Sequence, residues 1–281
     1  MKFFGRSISV ESPNVAVQMT GQTGNQMFGL MAGLNQSKRL NCTLELCFSE
    51  VPNLLTEFKL NESILMNYGT NWSTYDLFEE ESSHKFSDSI NAIKPRTLLK
   101  GYFQNYRYFQ HIDKSETISI FQLKEPKPTF VEYSKQINNR KILGIHVRCY
   151  EYGHREFHGI LPPEYFRESV LLAKKLNDID DIVVFTDNKF EASKILSDAW
   201  INPSEIIDSS KAISASETIL LMSKVKSFIG SNSSFSWWSA YLCPDVDRVS
   251  IFPRPWYKNH ETIIGSQYLP KWITIGFNKW L

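Results

Sequence analysis

The residues with the clearest chemical potential are three serines and an asparagine that precede an apolar, aromatic segment. In one-letter code, residues 231–242 read SNSSFSWWSAYL. Serine and asparagine are preferred caps at helix starts, and the free backbone amides of a first helical turn bind anions. The pattern predicts a helix and leaves two interpretations open. Its start binds a diphosphate, or the segment is a well-capped core helix with a tryptophan pair.

Two apolar segments upstream end in charged residues. Residues 142–147 have the pattern of a buried strand and lead into Arg148, and residues 181–186 lead in the same way into Asp187. In open α/β sheets the ligand crevice lies beyond the carboxyl ends of the strands. There a guanidinium can hold phosphate oxygens in a bidentate geometry, so Arg148 is a candidate phosphate ligand. Asp187 either belongs to a cap of the next helix or accepts hydrogen bonds from a purine.

Arg148, Asp187 and the serine-rich helix start can lie at one edge of a sheet only if strands alternate with helices along the chain. Alternation after residue 140 predicts a parallel sheet wrapped by helices. The strands are expected at residues 15–19, 43–48, 98–103, 142–147, 181–186, near 206 and at 227–229, and the helices at 25–39, 105–111, 163–173, 189–196, 215–225 and 234–242. Residues 49–94 are polar and are expected to be irregular, with the acidic run Glu79–Glu81 on a solvated face or loop.

The best linker signal is the proline pair Pro126 and Pro128. It predicts an N-terminal domain of residues 1–135 and a C-terminal domain of residues 136–281. A chain of 281 residues and 32.6 kDa has room for two such domains.

Composition excludes some classes of function. A net charge of +1 argues against a nucleic-acid partner, while 14% aromatic residues suit stacking on sugar rings. Four scattered cysteines indicate neither a zinc site nor a disulfide framework and favour a reducing compartment. No Asp-x-Asp motif is present at a candidate site, so we expect no metal. The first ten residues lack a signal-peptide pattern, and no apolar window is long enough to span a membrane.

Residues 146–151 (HVRCYE) and residues 216–242 resemble the two main motifs of the α-1,2-fucosyltransferases of glycosyltransferase family 11. The first is similar to a His-Val-Arg-Arg-Gly-Asp element, and the second to the family's most specific signature. Residues 21–28 (GQTGNQMF) are similar to an N-terminal Gly-Asn-Gln motif, and residues 101–104 (GYFQ) and 158–165 also have counterparts there. The resemblance covers residues 15–275.

This resemblance implies a GT-B architecture, in which two Rossmann-like domains face each other across a cleft. The first domain would lie on the acceptor side and the second would bind GDP-fucose, with a C-terminal segment that packs back on the first. The implied reaction is inverting transfer of L-fucose from GDP-β-L-fucose to the 2-hydroxyl of a galactose. The donor is a substrate, so no cofactor is implied.

The resemblance also implies the roles of individual residues. Arg148 and the turn Ser233–Phe235 would clamp the leaving diphosphate, and His146 and Asp187 would contact guanine. Glu217 would bind ribose hydroxyls, or else stabilise the start of its own helix as an acidic residue. The residues implied at the donor are Gly24, Asn25, His146, Arg148, Asp187, Glu217, Asn232, Ser233, Ser234 and Phe235.

The chain departs from the motif directly after Arg148. Cys149, Tyr150 and Glu151 stand where the family has arginine, glycine and aspartate, which leaves one cation fewer; Arg155 or Lys211 could replace it. For the general base, the spacing in related core fucosyltransferases implies Glu156, eight residues after Arg148. The rivals are His158, which could instead contact the acceptor, and Glu151. The catalytic candidates are Arg148, Glu156, His158 and Glu151.

Because no membrane anchor is found, the bacterial branch of the family is favoured, with a cytoplasmic location and peripheral contact with the inner face of the membrane. The expected acceptor is a galactose-terminated glycan, lipid-linked in O-antigen synthesis. Two alternatives stay open: a fucosyltransferase with another linkage or acceptor such as a chito-oligosaccharide, and a non-catalytic glycan-binding protein.

Overall fold

The computed structural model describes residues 14–69, 72–82, 85–150, 155–258 and 267–281. Within these residues the chain forms two parallel β-sheets with helices packed against them. The α/β class predicted from the alternation of strands and helices is confirmed, and the first half of the chain contains a parallel sheet as well as the second.

The first sheet lies in residues 14–100. Its strands are β1 (Asn14–Gln18), β2 (Thr43–Cys47), β3 (Leu65–Asn67), β4 (Asp76–Glu79) and β5 (Thr97–Lys100). They are parallel and ordered β3-β2-β1-β5-β4. Helix α1 (Thr23–Leu40) joins β1 to β2, and Asn41 ends it with a left-handed φ of 50°, a conformation that asparagine tolerates.

The second sheet begins after three helical segments that follow β5. These are a 3₁₀ turn (Tyr106–Phe109), α2 (Lys114–Ile120) and α3 (Pro128–Asn138). The strands are β6 (Ile142–Val147), β7 (Asp181–Thr186), β8 (Glu205–Ile207), β9 (Ser227–Ile229), β10 (Ser250–Arg254) and β11 (Ile273–Gly276). The helices are α4 (Arg155–His158), α5 (Pro163–Leu176), α6 (Lys189–Asp198), α7 (Ala215–Lys224) and α8 (Ser234–Tyr241). The parallel strand order is β11-β10-β9-β6-β7-β8.

Each sheet has a point where the direction of strand addition reverses. In the first sheet, β2 and β3 extend to one side of β1 and β5 lies on the other side. In the second, β7 and β8 extend to one side of β6, and β9, β10 and β11 extend to the other. Ligands of open α/β sheets bind at such switch points, beyond the carboxyl ends of the strands. The crevices to inspect are therefore those at β1/β5 and at β6/β9.

The two halves share one apolar core. Strand β6 is buried along its whole length, as its continuous apolar run predicts for a central parallel strand. The main cluster of buried side chains combines Val17 and Phe28 of the first half with Trp238 and Phe252 of the second. Phe28 of α1 lies 4.8 Å from Trp238 of α8, measured between ring centroids. The contact between α1 and α8 therefore joins the two sheets.

The prediction that residues 49–94 are irregular is wrong in part. They contain β3 and β4, which are too short and too exposed to show a clear alternating pattern. Glu80 is also not a simple solvated acid. Its Oε2 accepts the backbone N–H groups of Tyr102 and Phe103 at 2.8 and 2.9 Å, and burial raises the pKa of its carboxyl. Glu80 thereby holds the loop that follows β5.

The domain limits are only partly visible in the contacts. The predicted linker lies between the two sheets, since β5 ends at Lys100 and β6 begins at Ile142. Helix α3 nevertheless packs against α7 of the second half, so residues 128–135 contact the domain that follows them. The limit at residue 135 stays a prediction.

The described C-terminal residues add a strand to the second sheet, and Trp272 packs against the apolar cluster that both halves share. That a C-terminal segment packs back on the first domain stays a prediction. Strand β11 pairs with β10, and the Leu281 amide donates to the Ile160 carbonyl at 3.0 Å. These backbone bonds keep the end of the chain on the second sheet. In the described ranges, no helix combines the length and hydropathy needed to cross a bilayer.

Candidate active site

Arg148 and Asp187 meet at the carboxyl edge of the second sheet. Val147 and Thr186, the last residues of β6 and β7, are register partners, so the two charged residues that follow are neighbours. Arg148 Nη1 lies 3.1 Å from Asp187 Oδ2. The same carboxylate accepts the backbone amides of Cys149 at 2.8 Å and Tyr150 at 3.2 Å. Asp187 therefore supports the segment after β6, and recognition of guanine by this carboxylate stays a prediction.

Ser231 joins β6 to the turn that precedes α8. Its hydroxyl donates to the His146 carbonyl at 2.6 Å and accepts the Arg148 amide at 3.1 Å. Its own amide donates to Ser236 Oγ at 3.0 Å. These bonds fix the start of α8 beside Arg148, at the β6/β9 switch point.

His146 lies beneath this edge and is only 4% exposed. Its Nδ1 is 2.5 Å from Ser236 Oγ, and its ring lies 5.5 Å from that of Phe235. Burial, assisted by the charge of Arg148, lowers the pKa of His146 to about 3. The side chain is therefore a neutral, buried support for α8, and guanine contact by His146 stays a prediction.

We expect the buried His146 side chain to make the protein less stable as the pH is lowered. An unfolded histidine takes up its proton near pH 6.5, whereas the folded imidazole stays neutral down to about pH 3. Between these values the unfolded state binds more protons, so the free energy of unfolding should fall by roughly 1 kcal/mol per pH unit as pH decreases. Urea unfolding of wild type and His146→Asn between pH 7.5 and 4.5 measures this contribution as the difference between two slopes. The exposed His111→Asn is the control, and equal slopes for wild type and His146→Asn would contradict the assignment.

The start of α8 faces the first sheet. Ser233 is the N-cap, and its Oγ accepts the Phe235 amide at 3.2 Å. The first-turn amides of Ser234 and Ser236 have no acceptor within the helix, as at any helix start. Ser234 Oγ donates to Asn25 Oδ1 at 2.8 Å. The predicted phosphate-binding turn is thus a capped helix start at the interface of the two halves.

Asn25 connects the two switch points. Its Oδ1 also accepts Gln104 Nε2 at 2.8 Å, and Gln104 Oε1 accepts the Tyr257 hydroxyl at 3.2 Å. Asn25 follows β1, Gln104 follows β5, and Ser234 begins α8. The residues that follow β1, β5 and β9 therefore meet at Asn25.

The glycine at position 24 allows a close approach, but to the protein itself. A Cβ on Gly24 would lie 2.9 Å from the Ser234 carbonyl carbon and 3.0 Å from the Phe235 nitrogen. The Gly24 carbonyl accepts Trp238 Nε1 at 2.9 Å. The start of α8 fills the space that a side chain on Gly24 would take, and contact of Gly24 with the donor stays a prediction.

Asn232 braces the loops around the site. It is 1% exposed, and its Nδ2 donates to the carbonyls of His158 at 2.7 Å and Trp256 at 3.0 Å. Its backbone carbonyl accepts the Tyr150 hydroxyl at 2.5 Å. Its Oδ1 is buried without a hydrogen-bond partner among the described residues. Asn232 thus organises the site through α4 and the end of β10.

Of the two roles predicted for Glu217, the structure shows the local one, at the start of its own helix. It forms a capping box with Ser214, and its Oε2 accepts the Ser214 amide at 2.9 Å. Its Oε1 accepts the Lys127 amide at 2.8 Å, and the residue is 1% exposed. A buried carboxylate whose oxygens hold two backbone amides is a helix cap, and ribose binding by Glu217 stays a prediction.

The candidates for the general base differ in their exposure and contacts. Glu156 is exposed on α4, and His158 ends that helix with its ring stacked on Tyr150. Glu151 lies outside the described residues, as does the side chain of Arg155. Lys211, the other candidate for an extra cation, bonds Glu205 Oε1 at 3.1 Å.

The ring side chains that follow β5, which suit stacking on sugar rings, divide into two groups by their exposure. Phe103 and Tyr108 are fully buried and form part of the core, whereas Tyr102 is 43% exposed. His111 is also exposed, and Tyr106 is half-buried. Tyr102 is therefore the strongest stacking candidate in the loop after β5.

Sequence reasoning did not identify Ser231, Gln104, Tyr257 or Tyr150 as site residues. The positions of Ser231 and Gln104 after β9 and β5 are a usable signal, because both follow strands that border a switch point. Tyr257 had no comparable signal. Tyr150 stands where the family motif has glycine, and the sequence alone gives it no role. In the part of the chain that the structure describes, no three histidine, cysteine or acidic side chains cluster as a metal site.

Two kinds of sequence comparison identify relatives. The family model "Glycosyl transferase family 11" matches residues 8–276. The Escherichia coli O-antigen biosynthesis glycosyltransferase WbnK is 27% identical over 206 residues, covering 68% of this chain and 66% of WbnK, just under two thirds of its length. An Escherichia coli alpha-1,2-colitosyltransferase is 24% identical over 294 residues, covering 93% of this chain and 98% of that protein.

Solved structures share the architecture. NodZ alpha-1,6-fucosyltransferase soaked with GDP-fucose matches with a TM-score of 0.50 and 13% identity, covering 83% of this chain and 93% of NodZ. A mutant of Arabidopsis thaliana FUT1 in complex with GDP matches with a TM-score of 0.50 and 13% identity, covering 86% and 70%. Escherichia coli ADP-heptose lps heptosyltransferase II matches with a TM-score of 0.50 and 14% identity, covering 93% and 90%. The fold is therefore GT-B: two Rossmann-like domains face each other across a cleft.

Proposed function

Since this chain belongs to glycosyltransferase family 11, we propose that it transfers L-fucose from GDP-β-L-fucose to the 2-hydroxyl of a galactose, with inversion at the sugar carbon. The family membership makes it a glycosyltransferase. The donor, the linkage and the stereochemistry are the proposal. NodZ and FUT1, which share its fold, have structures with GDP-fucose and GDP.

One observation carries the proposal: the two switch points meet at the hydrogen bond between Asn25 and Ser234, 2.8 Å long. Arg148 lies on the second side of this junction, next to the capped start of α8. A guanidinium and a helix start are suited to the same chemical group, a phosphate. A glycan-binding protein has no need of such a pair, so the geometry favours a nucleotide-sugar enzyme.

In the proposed reaction, the galactose O2 attacks C1 of fucose while the bond from C1 to the diphosphate oxygen breaks. Negative charge grows on the leaving GDP, and Arg148 and the first-turn amides of α8 stabilise it. Groups that are already oriented toward such charge lower the barrier by several kcal/mol. The proton of the galactose hydroxyl passes to a base, for which we propose Glu156, with His158 and Glu151 as the rivals. General-base assistance of this kind contributes about 10²- to 10⁴-fold.

The test is a transfer assay in the presence of EDTA. The full-length protein is incubated with GDP-L-fucose and a β-galactoside, and the product is analysed by mass and linkage. We expect the gain of one deoxyhexose on galactose O2 in the α configuration, which would support donor, linkage, inversion and independence from divalent metal together. Transfer to another position would contradict the proposed linkage, and loss of transfer in EDTA would contradict the metal-independent mechanism. No transfer and no protection by GDP against thermal unfolding would contradict the proposal.

A second donor has a specific observation in its favour. The colitosyltransferase relative aligns over 98% of its own length. Colitose is L-fucose without the 3-hydroxyl, so GDP-colitose would fit the same phosphate and guanine contacts. Parallel assays with both donors decide between them through kcat/KM. A hydroxyl that the site hydrogen-bonds commonly changes kcat/KM by orders of magnitude when it is missing.

The acceptor and the cellular setting are further parts of the proposal. The relative WbnK is an O-antigen biosynthesis glycosyltransferase, which supports a galactose-containing, lipid-linked surface glycan as acceptor. A reaction at such a lipid would take place in the cytoplasm, with peripheral contact at the inner face of the membrane. Sedimentation with vesicles that carry the lipid-linked acceptor tests this setting.

A further inference from the structure

Tyr150 adopts a backbone conformation that tyrosine rarely takes. Its φ is 54°, in the left-handed region that favours glycine. Strained residues of this kind persist where the surrounding structure determines them strongly, and they cluster at functional sites. The side chain is 9% exposed, so its contacts lie within the protein. Those contacts indicate what the strain serves.

The first contact is with the proposed phosphate ligand. Arg148 Cζ lies 5.0 Å from the centroid of the Tyr150 ring, within the range of a cation–π interaction. The guanidinium also pairs with Asp187, which accepts the Tyr150 amide at 3.2 Å. Arg148, Asp187 and Tyr150 thus form a closed set in which each contacts the other two. A third of the Arg148 side chain remains exposed, which leaves it accessible to a ligand.

The second contact is with α4. The Tyr150 ring stacks on the His158 imidazole, with 4.6 Å between centroids and 6° between planes. The Tyr150 hydroxyl donates to the Asn232 carbonyl at 2.5 Å, and the Asn232 side chain donates to the His158 carbonyl at 2.7 Å. One phenol ring therefore links the arginine at the end of β6 to the histidine at the end of α4.

We propose that Tyr150 is a positioning residue that holds the Arg148 guanidinium and the His158 imidazole at the nucleoside diphosphate of the donor. The inference deepens the proposed function and rests on it. Cys149, which lies between Arg148 and Tyr150 in the sequence, is buried and adds no cation at the carboxyl edge of the second sheet. The orientation of Arg148 is then set by the carboxylate of Asp187 and the ring of Tyr150.

A double-mutant cycle on GDP binding tests this role. Tyr150→Leu keeps a bulky apolar side chain and the strained backbone, and it removes the aromatic face and the hydroxyl. Calorimetry gives the GDP dissociation constants of wild type, Tyr150→Leu, Arg148→Ala and the double variant, and thermal unfolding of each reports its stability. We expect Tyr150→Leu to weaken GDP binding about 10-fold in the wild-type background and less than about 2-fold in the Arg148→Ala background, because the effect acts through Arg148. Tyr150→Phe should recover most of the loss, since it restores the ring.

The outcomes separate the inference from the function on which it rests. If wild type binds no GDP, the proposed function fails and the inference fails with it. If wild type binds GDP and Tyr150→Leu weakens binding by the same factor in both backgrounds, or not at all, only the positioning role is overturned. Tyr150→Gly, which fits the left-handed backbone without strain, guards against misfolding of the other variants. If Tyr150→Gly bound GDP as tightly as wild type, that result would also overturn the role.

Discussion

Replacement of Arg148 by alanine is expected to lower kcat for transfer by about 10²- to 10³-fold, which is the usual loss when one oriented donor to developing charge is removed. The guanidinium lies 3.1 Å from Asp187, and the Arg148 backbone amide donates to Ser231 in the turn before α8. Its effect should be greater on kcat than on KM for the donor, because charge on the diphosphate grows as the glycosidic bond breaks. Steady-state kinetics with varied GDP-fucose measures both constants.

The chain offers a closely matched control in Arg167. Its side chain is 33% exposed, as is that of Arg148. It also pairs with a carboxylate, Glu168, at 3.5 Å and lies over an aromatic ring, Trp200, at 5.2 Å. Because it belongs to α5 and not to the switch point, Arg167→Ala should retain near wild-type kcat. Arg148→Lys should recover only part of the loss, since an ammonium does not provide the planar fork of a guanidinium.

Near wild-type kcat for Arg148→Ala would exclude Arg148 as the diphosphate ligand. A fall in kcat for Arg148→Ala and Arg167→Ala alike would indicate a general loss of structure. Circular dichroism and thermal unfolding of both variants check that the fold is kept. The segment after β6 should keep its conformation in Arg148→Ala, because the two bonds that Asp187 accepts from the amides of Cys149 and Tyr150 do not depend on the Arg148 side chain.

The place of Arg148 and Asp187 was predictable because it follows from strand ends alone. An apolar run predicts a buried parallel strand, and parallel neighbours bring the residues after them to one edge. The observed register, with Val147 opposite Thr186, realises that expectation. The GT-B fold was equally accessible, but through a resemblance of motifs; alternation of strands and helices supported only the second half.

Roles that depend on loop geometry were not predictable in the same way. The bonds from Asp187 to two backbone amides require the chain to turn at Tyr150, and its φ of 54° runs against the preference of tyrosine. Glu217 is an instructive contrast. Ser214 and Glu217 have the Ser-x-x-Glu spacing of a capping box, so its local role could have been read from the sequence. Strands β10 and β11 lacked any turn or pattern signal strong enough to place them.

The tryptophan pair in the most specific motif illustrates the same limit. The sequence left open whether residues 231–242 bind an anion or form a capped core helix. The structure shows the capped core helix, and anion binding at its start stays a prediction. The serine turn lies at the junction of the two domains, while Trp237 and Trp238 are 1% and 0% exposed. One helix therefore places its start at the junction of the two domains and its tryptophans in the core.

We expect Trp238→Ala to lower the free energy of unfolding by about 3–5 kcal/mol, the range for removing a large aromatic side chain from a core. The Trp238 ring lies 4.8 Å from Phe28 of α1 and 5.5 Å from Phe109, which is stacked on it. Its Nε1 donates to the Gly24 carbonyl at 2.9 Å, a buried bond between the two domains. The loss would therefore loosen α1 against α8, and a fall in melting temperature on the order of 10 °C should be seen by calorimetry.

Two further variants separate the causes of that loss. Trp238→Phe keeps an aromatic ring but leaves the Gly24 carbonyl without its donor, which should cost about 1–3 kcal/mol. Trp200→Ala, at a tryptophan that is 83% exposed, should change stability by less than about 0.5 kcal/mol. Because α8 also presents Ser234 to Asn25, Trp238→Phe should weaken GDP binding more than its stability loss alone explains. If a destabilised Trp238→Phe bound GDP with wild-type affinity, the packing of α8 in the core would not influence the proposed donor site at its start. The contact between α1 and α8 would then weaken without a change at the switch points.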